Sequence, residues 1–315
     1  MITINRTSQS LSNWFSNAIQ NRAVTALKNN LHVTSIALGI AALPVALTSP
    51  SHALSVQVSP QKPLLGDTIS VIMNLDNSTR SANVTVTSGK DTYPAYEIAP
   101  NKYRAFIPTT PLETAGGRTI KVDAGGETQN IPVQVGSRKF TVQRINLPPG
   151  KAGVSATKYE LQRANEFRAV RSSEKLWNGA FIKPSQARMS TPYGVRRYYN
   201  GKFANDYYHR GLDFAGGTGS PVVAPAAGRV VLVGTVSQGF RVHGNVIGVD
   251  HGQGVASIFM HLSKINVKEG DIVKPGQLIG KIGATGASTG PHLHWGLYVN
   301  GKSINPIPWL NGGVE

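Results

Sequence analysis

Pro221-Val-Val-Ala-Pro-Ala-Ala-Gly-Arg-Val-Val-Leu-Val233 sets two short runs of β-branched residues on either side of an Ala-Pro-Ala-Ala-Gly hinge. Valine packs well on a pleated surface, while proline and glycine mark the places where a chain turns, so the stretch reads strand, turn, strand. The same punctuation recurs downstream in Val246-Ile-Gly-Val249, in Ala256-Ser-Ile-Phe-Met260 and in a Gly- and Pro-rich series of hairpins reaching Trp295. From about Phe181 onward the expectation is therefore an all-β domain, assigned to residues 180–315.

Working upstream, apolar residues alternate with a period of two in Ile69, Val71, Met73 and Leu75, in Val84 and Val86, and in Tyr103, Ala105 and Ile107. The pattern continues in Ile120 and Val122 and in Ile131, Val133 and Val135. Because strand side chains alternate between faces, these are half-buried strands. Turn-rich pieces, Asp76-Asn-Ser78, Ser88-Gly-Lys-Asp91, Ala115-Gly-Gly117 and Ala124-Gly-Gly126, separate them at short intervals. Residues 54–138 are thus expected to form a small antiparallel sandwich of immunoglobulin-like type. No catalytic constellation falls in it, and a positioning or binding module and a plain spacer both fit. Residues 139–179 are expected to be a linker. In it Leu147-Pro-Pro-Gly150 breaks the chain, and Thr157-Lys-Tyr-Glu160 has the form of a capping box opening a helix of about five turns to near Leu176.

With 315 residues the chain is long enough for about two domains. Lys and Arg number 32 against 16 Asp and Glu, and the first 66 residues hold no carboxylate. Residues 1–53 carry the basic Arg6, Arg22 and Lys28, the apolar run Ile36 to Leu47 broken at Pro44, and a small-x-small Ser51-His-Ala53. That order reads as a secretory signal, giving an exported protein of the periplasm, envelope or exterior. The apolar run is shorter than the roughly 20 residues of a bilayer span, so no stable transmembrane segment is expected after cleavage. Without residues 1–53 there remain 29 basic residues against 16 acidic, a field suited to polyanionic partners. No nucleic-acid signature accompanies it and aromatics are only 7%, so nucleic acid is not an expected partner. The absence of cysteine excludes disulfides and thiolate chemistry, leaving His, Asp and Glu to hold any metal.

Six of the eight histidines lie between positions 209 and 294. In His209-Arg-Gly-Leu-Asp213 an i, i+4 offset on an extended segment returns both side chains to one face, and His292-Leu-His294 does the same at i, i+2. Together they supply three or four nitrogen and oxygen donors for one cation. Such a set without sulfur suits Zn²⁺, and three protein ligands with one open position is the arrangement that activates water. There is no His-Glu-x-x-His, and beyond His209 the acids are Asp213, Asp250, Glu269, Asp271 and Glu315. Proton transfer would then fall to histidine, with His261 and His292 the candidates. His243 and His251 read as turn residues.

The segments Thr191-Pro-Tyr-Gly-Val-Arg-Arg197, Tyr208-His-Arg-Gly-Leu-Asp-Phe-Ala215, Val223-Ala-Pro-Ala-Ala-Gly-Arg-Val230, Phe259-Met-His-Leu-Ser263, Gly270-Asp-Ile-Val-Lys-Pro-Gly-Gln-Leu-Ile-Gly280 and Gly283 to Trp295 stand in this order. Over about 180–310 the chain resembles the lysostaphin-type M23 (LytM-like) peptidoglycan endopeptidases. The resemblance implies that His209, Asp213 and His294 are zinc ligands and that His261 and His292 are the paired catalytic histidines. It also implies a groove rimmed by Gly216-Gly-Thr-Gly219 and Thr285-Gly-Ala-Ser-Thr-Gly290, with Tyr207 or Tyr208 near the scissile carbonyl. Peptidoglycan stem peptides or cross-links are the implied substrate, and an unknown regulatory envelope partner stays open. The alternative within the family is a catalytically silent LytM-like activator of another wall hydrolase. Ala224 to Val230 and Gly270 to Gln277 also resemble half-repeats of biotinyl and lipoyl carrier domains, but no Met-Lys-Met occurs, so that likeness is one of fold.

Overall fold

The computed structural model describes residues 54–76, 83–146, 154–312 and 314. The signal-like segment, Asn77-Ser78 and the Leu147-Pro-Pro-Gly150 break lie outside the described residues. Eight strands come first: β1 (Leu54–Ser59), β2 (Thr68–Leu75), β3 (Thr85–Ser88), β4 (Asp91–Tyr93), β5 (Ala95–Ala99), β6 (Lys102–Pro108), β7 (Gly116–Ala124) and β8 (Glu127–Val135). They form two four-stranded sheets, in the orders β1-β2-β6-β5 and β4-β3-β7-β8. Both contribute to one core of Leu54, Ile69, Val71, Met73, Val86, Ile107, Ile120, Val122 and Val135. The alternating residues therefore do point inward, and the two sheets pack as a sandwich. Ala115-Gly-Gly117 is not a turn as expected. Gly116 and Gly117 open β7 and pair with Val135 and Gln134, the ladder extending to where the turn was placed.

Next come β9 (Val142–Ile145) and the helix α1 (Lys158–Ala169). This helix is 12 residues long and ends well before Leu176. Thr157 Oγ1 accepts the Glu160 N–H at 3.1 Å, but the Glu160 side chain does not return to the cap, so half of the expected capping box forms. The weak amphipathicity hides a real packing face. Phe167 enters a cluster with Leu232, Phe240, Val246, Ala256, Ile258 and Tyr298.

The rest of the chain comprises β10 (Arg188–Thr191), β11 (Arg196–Tyr199), β12 (Lys202–Phe203), β13 (Leu212–Ala215), β14 (Pro221–Val223), β15 (Gly228–Gly234), β16 (Asn245–Gly252), β17 (Val255–Leu262), β18 (Lys264–Ile265), β19 (Ile272–Val273), β20 (Leu278–Lys281), β21 (His292–Val299), β22 (Lys302–Ile304) and the short helix α2 (Ile307–Leu310). An eight-stranded sheet runs β10-β13-β21-β17-β16-β15-β19, with β22 on β21. Its central strands β16, β17 and β21 are buried almost throughout. One face meets a core of Ile247, Val249, Phe259, Trp295 and Leu297, and the other meets the Phe167 cluster. Gly248 makes room for that helix, since a Cβ there would come 2.7 Å from the Phe167 ring. His251, expected in a turn, lies in β16, fully buried. Its Nδ1 lies 2.8 Å from the Ala227 carbonyl and its Nε2 2.8 Å from Ser257 Oγ, so the ring serves the core and not the cleft.

The sandwich is not a loosely tethered appendage, because the described residues group as one compact unit. Phe106 of β6 packs with Trp177 and Trp309, ring centroids 6.3 and 5.5 Å away, and Trp309 Nε1 donates to Thr68 Oγ1 at 3.3 Å. Arg104 reaches Gln253 Oε1 at 2.5 Å, and Asn300 Nδ2 donates to the Phe106 carbonyl at 2.7 Å. Trp309→Ala should cost about 3–5 kcal/mol of stability, the range for emptying a buried Trp site. Urea unfolding measures it, and a loss below about 1 kcal/mol would mean the seam bears little of the fold. Among the described residues no helix is long and apolar enough to cross a membrane.

Candidate metal centre and cleft

Antiparallel pairing of β13 with β21 puts Asp213 directly opposite His294. Asp213 Oδ1 lies 2.9 Å from His294 Nδ1 and 3.0 Å from His209 Nε2, and the two ring nitrogens are 3.1 Å apart. Among the described residues these three form the group close enough to share an ion. All three are buried. His209 itself is not on a strand, since β13 begins at Leu212, so alternation explains Asp213 but not His209. His209 is held by two other bonds, its N–H to the Val195 carbonyl at 2.9 Å and its own carbonyl from the Gly194 N–H at 2.8 Å. Gly211 lets the intervening chain press against β21. A Cβ there would lie 2.3 Å from the Trp295 carbonyl oxygen and 2.9 Å from His294 Nε2.

The donor set suits a cation. His209 Nδ1 lies 2.8 Å from the Pro192 carbonyl, which only accepts, so in the neutral ring the proton sits there and Nε2 turns a lone pair inward. That lone pair faces a carboxylate oxygen, which also only accepts. Burial alone would raise the Asp213 carboxyl, but the adjoining His209 and His294 rings hold it well below the usual carboxylate range. Burial lowers His294 to about 4 against the pull of Asp213. A carboxylate and two imidazoles thus converge where a positive ion would satisfy all three.

His261 and His292 stand beside this group, their ring centroids 4.7 Å apart. His261 Nδ1 meets the Thr285 carbonyl at 2.8 Å and His292 Nδ1 meets the Gly290 carbonyl at 2.9 Å, so each neutral ring keeps its lone pair on Nε2. His292 Nε2 is 3.9 Å from Asp213 Oδ1. Burial, then the neighbouring His294 and His292, push His261 down to about 3. The carbonyls come from the 285–290 loop, which lines the cleft as expected. The Gly216–Gly219 loop does not. It turns onto β20, Gly219 N–H bonding the Ile282 carbonyl at 2.8 Å.

The two tyrosine candidates part company. Tyr208 is buried, its hydroxyl 3.2 Å from the Ser303 carbonyl, whereas Tyr207 lines the cleft. Burial pushes the Tyr207 hydroxyl up to about 12, and its oxygen accepts from Arg197 Nη1 at 2.8 Å. Tyr199 stands beside it as a further hydrogen-bond partner. Arg197 went unread in the sequence as a cleft residue, although it lies within a quoted motif. Glu160 and His243 were missed as well, because their pairing spans 83 positions. Tyr207, Arg197 and His243 line a cleft of about 730 Å³ together with the other histidines and Asp213, whereas Glu160 is wholly buried and is not part of its lining.

The sequence profile described as peptidase family M23 matches residues 207–306, which include every residue of the histidine and carboxylate group. The catalytic domain of the antimicrobial peptidase lysostaphin from Staphylococcus simulans is 38% identical, and the match covers 40% of this chain and 92% of that one, with a TM-score of 0.34. Residues 207–306 form a peptidase family M23 domain. A crystal structure of a candidate M23 peptidase from Pseudomonas aeruginosa is 27% identical with a TM-score of 0.59, covering 81% of this chain and 96% of that one. The M23 likeness there extends over the sandwich as well. An uncharacterized metalloprotease of Haemophilus influenzae is 38% identical over 153 residues, 47% of this chain. The chain matches only about a third, 31%, of that relative's length.

Proposed function

We propose that this M23 protein is a zinc-dependent endopeptidase that hydrolyses peptide bonds in peptidoglycan stem peptides or cross-links during cell-wall remodelling. The observation that carries the reading is the convergence of His209 Nε2, Asp213 Oδ1 and His294 Nδ1 within 3.1 Å of one another, beside two further histidines aimed into the same cleft. His209, Asp213 and His294 would hold the ion, which when bound supplies the positive charge that polarises a carbonyl and acidifies water. His261 Nε2, neutral at pH 7, takes a proton from the attacking water and passes it to the Nε2 lone pair of the adjacent His292, whose imidazolium then stabilises negative charge and returns that proton to the leaving amine. Tyr207 donates to the scissile carbonyl oxygen. The basic excess and the signal-like N-terminus support an exported protein working in the cell envelope. The strand orders of the N-terminal sandwich support its reading as immunoglobulin-like, with residues 54–138 as that domain, 139–179 as linker and 180–315 as the peptidase.

Purified residues 54–315 with zinc should release new amines from isolated sacculi, and His209→Ala should not. A wild type as inert as the variant would sink the enzymatic reading. If that inert protein instead stimulated another wall hydrolase, the silent-activator alternative would take its place.

A further inference from the structure

Glu160 has no exposed surface, yet it neither caps its own helix nor pairs with a Lys or Arg. Its carboxylate accepts the backbone N–H groups of Arg241 at 2.9 Å, Val242 at 2.9 Å and His243 at 2.7 Å, and the His243 ring Nδ1 at 2.6 Å. Burial alone would raise this carboxyl, but the His243 and Arg241 donors hold it below the usual range. With an acceptor facing Nδ1, that nitrogen carries the His243 proton, and Nε2 is the ring atom left over. Nε2 makes no hydrogen bond among the described residues, and the ring lines the same cleft as His261 and His292.

The loop so clamped also carries the paired histidines. The His243 carbonyl accepts the His261 N–H at 3.0 Å, where His261 sits at φ +63°, a conformation that a non-glycine residue holds only when its surroundings impose it. Val242 accepts the Ala287 N–H at 3.0 Å, and Thr285 Oγ1 accepts the Asn245 N–H at 2.9 Å. Thr285 in turn supplies the carbonyl that orients His261. Glu160 is therefore the buried end of a chain running from α1, outside the segment matched by the family profile, to the proton-transfer pair.

We propose that Glu160 and His243 form a substrate-positioning pair: His243 Nε2 accepts an amide N–H of the peptide lying in the cleft, and Glu160 fixes the ring and its loop. The pair rests on the peptidase reading for the identity of that peptide. A buried glutamate that merely tidied a turn would need only the loop N–H groups and would place no demand on the ring's outer nitrogen.

The test uses residues 54–315 loaded with zinc and cross-linked muropeptides released from sacculi by a muramidase. His243→Asn keeps a donor near Nδ1 for Glu160 but loses the outer atom, whereas His243→Gln keeps a polar atom near the Nε2 position and loses the link to Glu160. His243→Asn should raise KM about tenfold with kcat within about twofold, one hydrogen bond's worth, and keep its zinc content and melting temperature. His243→Gln should stay within about threefold of the wild-type KM, and Glu160→Gln should raise KM and also lower kcat, because His261 hangs on the clamped loop. Wild-type KM in His243→Asn, or a parallel fall of its zinc content and melting temperature, overturns the proposal. Calorimetric affinity for the same muropeptides is measured alongside. A wild type without turnover defeats the peptidase reading, while equal affinities of wild type and His243→Asn defeat the pair by itself.

Discussion

Asp213→Ala should strip the metal centre, leaving zinc at background by elemental analysis after dialysis and lowering zinc affinity more than about 100-fold by calorimetry. Loss of a mere outer partner of a metal ligand already costs 10–100-fold, and Asp213 is the central atom donor of the group. Its Oδ1 is within 3.0 Å of both His209 Nε2 and His294 Nδ1, and it is the one anion among the three. Alanine leaves two imidazoles and no carboxylate in a buried site, with no anion to offset the desolvation of a dication. The fold should survive, because the backbone pairing of residue 213 with β10 and β21 does not depend on its side chain. A variant that keeps wild-type zinc would show that the three residues are a hydrogen-bonded cluster and not a metal centre.

His261→Ala should give the opposite split: full zinc, an unchanged melting curve and a kcat on sacculus-derived peptides lower by about 10²–10⁴, the usual worth of a positioned general base. His261 is not one of the three converging donors, and its Nδ1 is committed to the Thr285 carbonyl. Burial and the adjacent histidines keep the ring neutral at pH 7, so its Nε2 lone pair is available whenever substrate is present. A kcat within about threefold of wild type would move proton transfer to His292 and leave His261 a wall of the cleft.

Much of this was readable in the residues themselves. Period-two alternation located β2, β6, β7 and β8, and the His-x-His spacing found the face of β21 that carries His292 and His294. Where local pattern competes with long-range contact, the reading failed. Glu160 has the right spacing for a reciprocal cap, but three loop N–H groups some 80 residues away offer its carboxylate more than one cap N–H can. The helix stops at Ala169 although no Pro or Gly precedes Leu176, because Ser172 and Leu176 bond to the β16 turn and edge, Gln253 N–H to the Ser172 carbonyl and Leu176 N–H to the His251 carbonyl. His251 has a glycine beside it and looks like turn material, yet its ring is satisfied inside the core. The i, i+4 offset of His209 and Asp213 identified a true pair for an incomplete reason, since the glycine at 211 and the bonds to residues 194 and 195 do what strand alternation was expected to do.

The aromatic seam between sandwich and peptidase makes the protein its own fluorescent gauge. Of four tryptophans, Trp177, Trp295 and Trp309 are almost wholly shielded from water, two at the seam and one next to His294 in β21. Prising the sandwich away would wet the first two indoles and redden their emission while Trp295 stayed blue, so separation of the halves can be timed optically without attaching a dye.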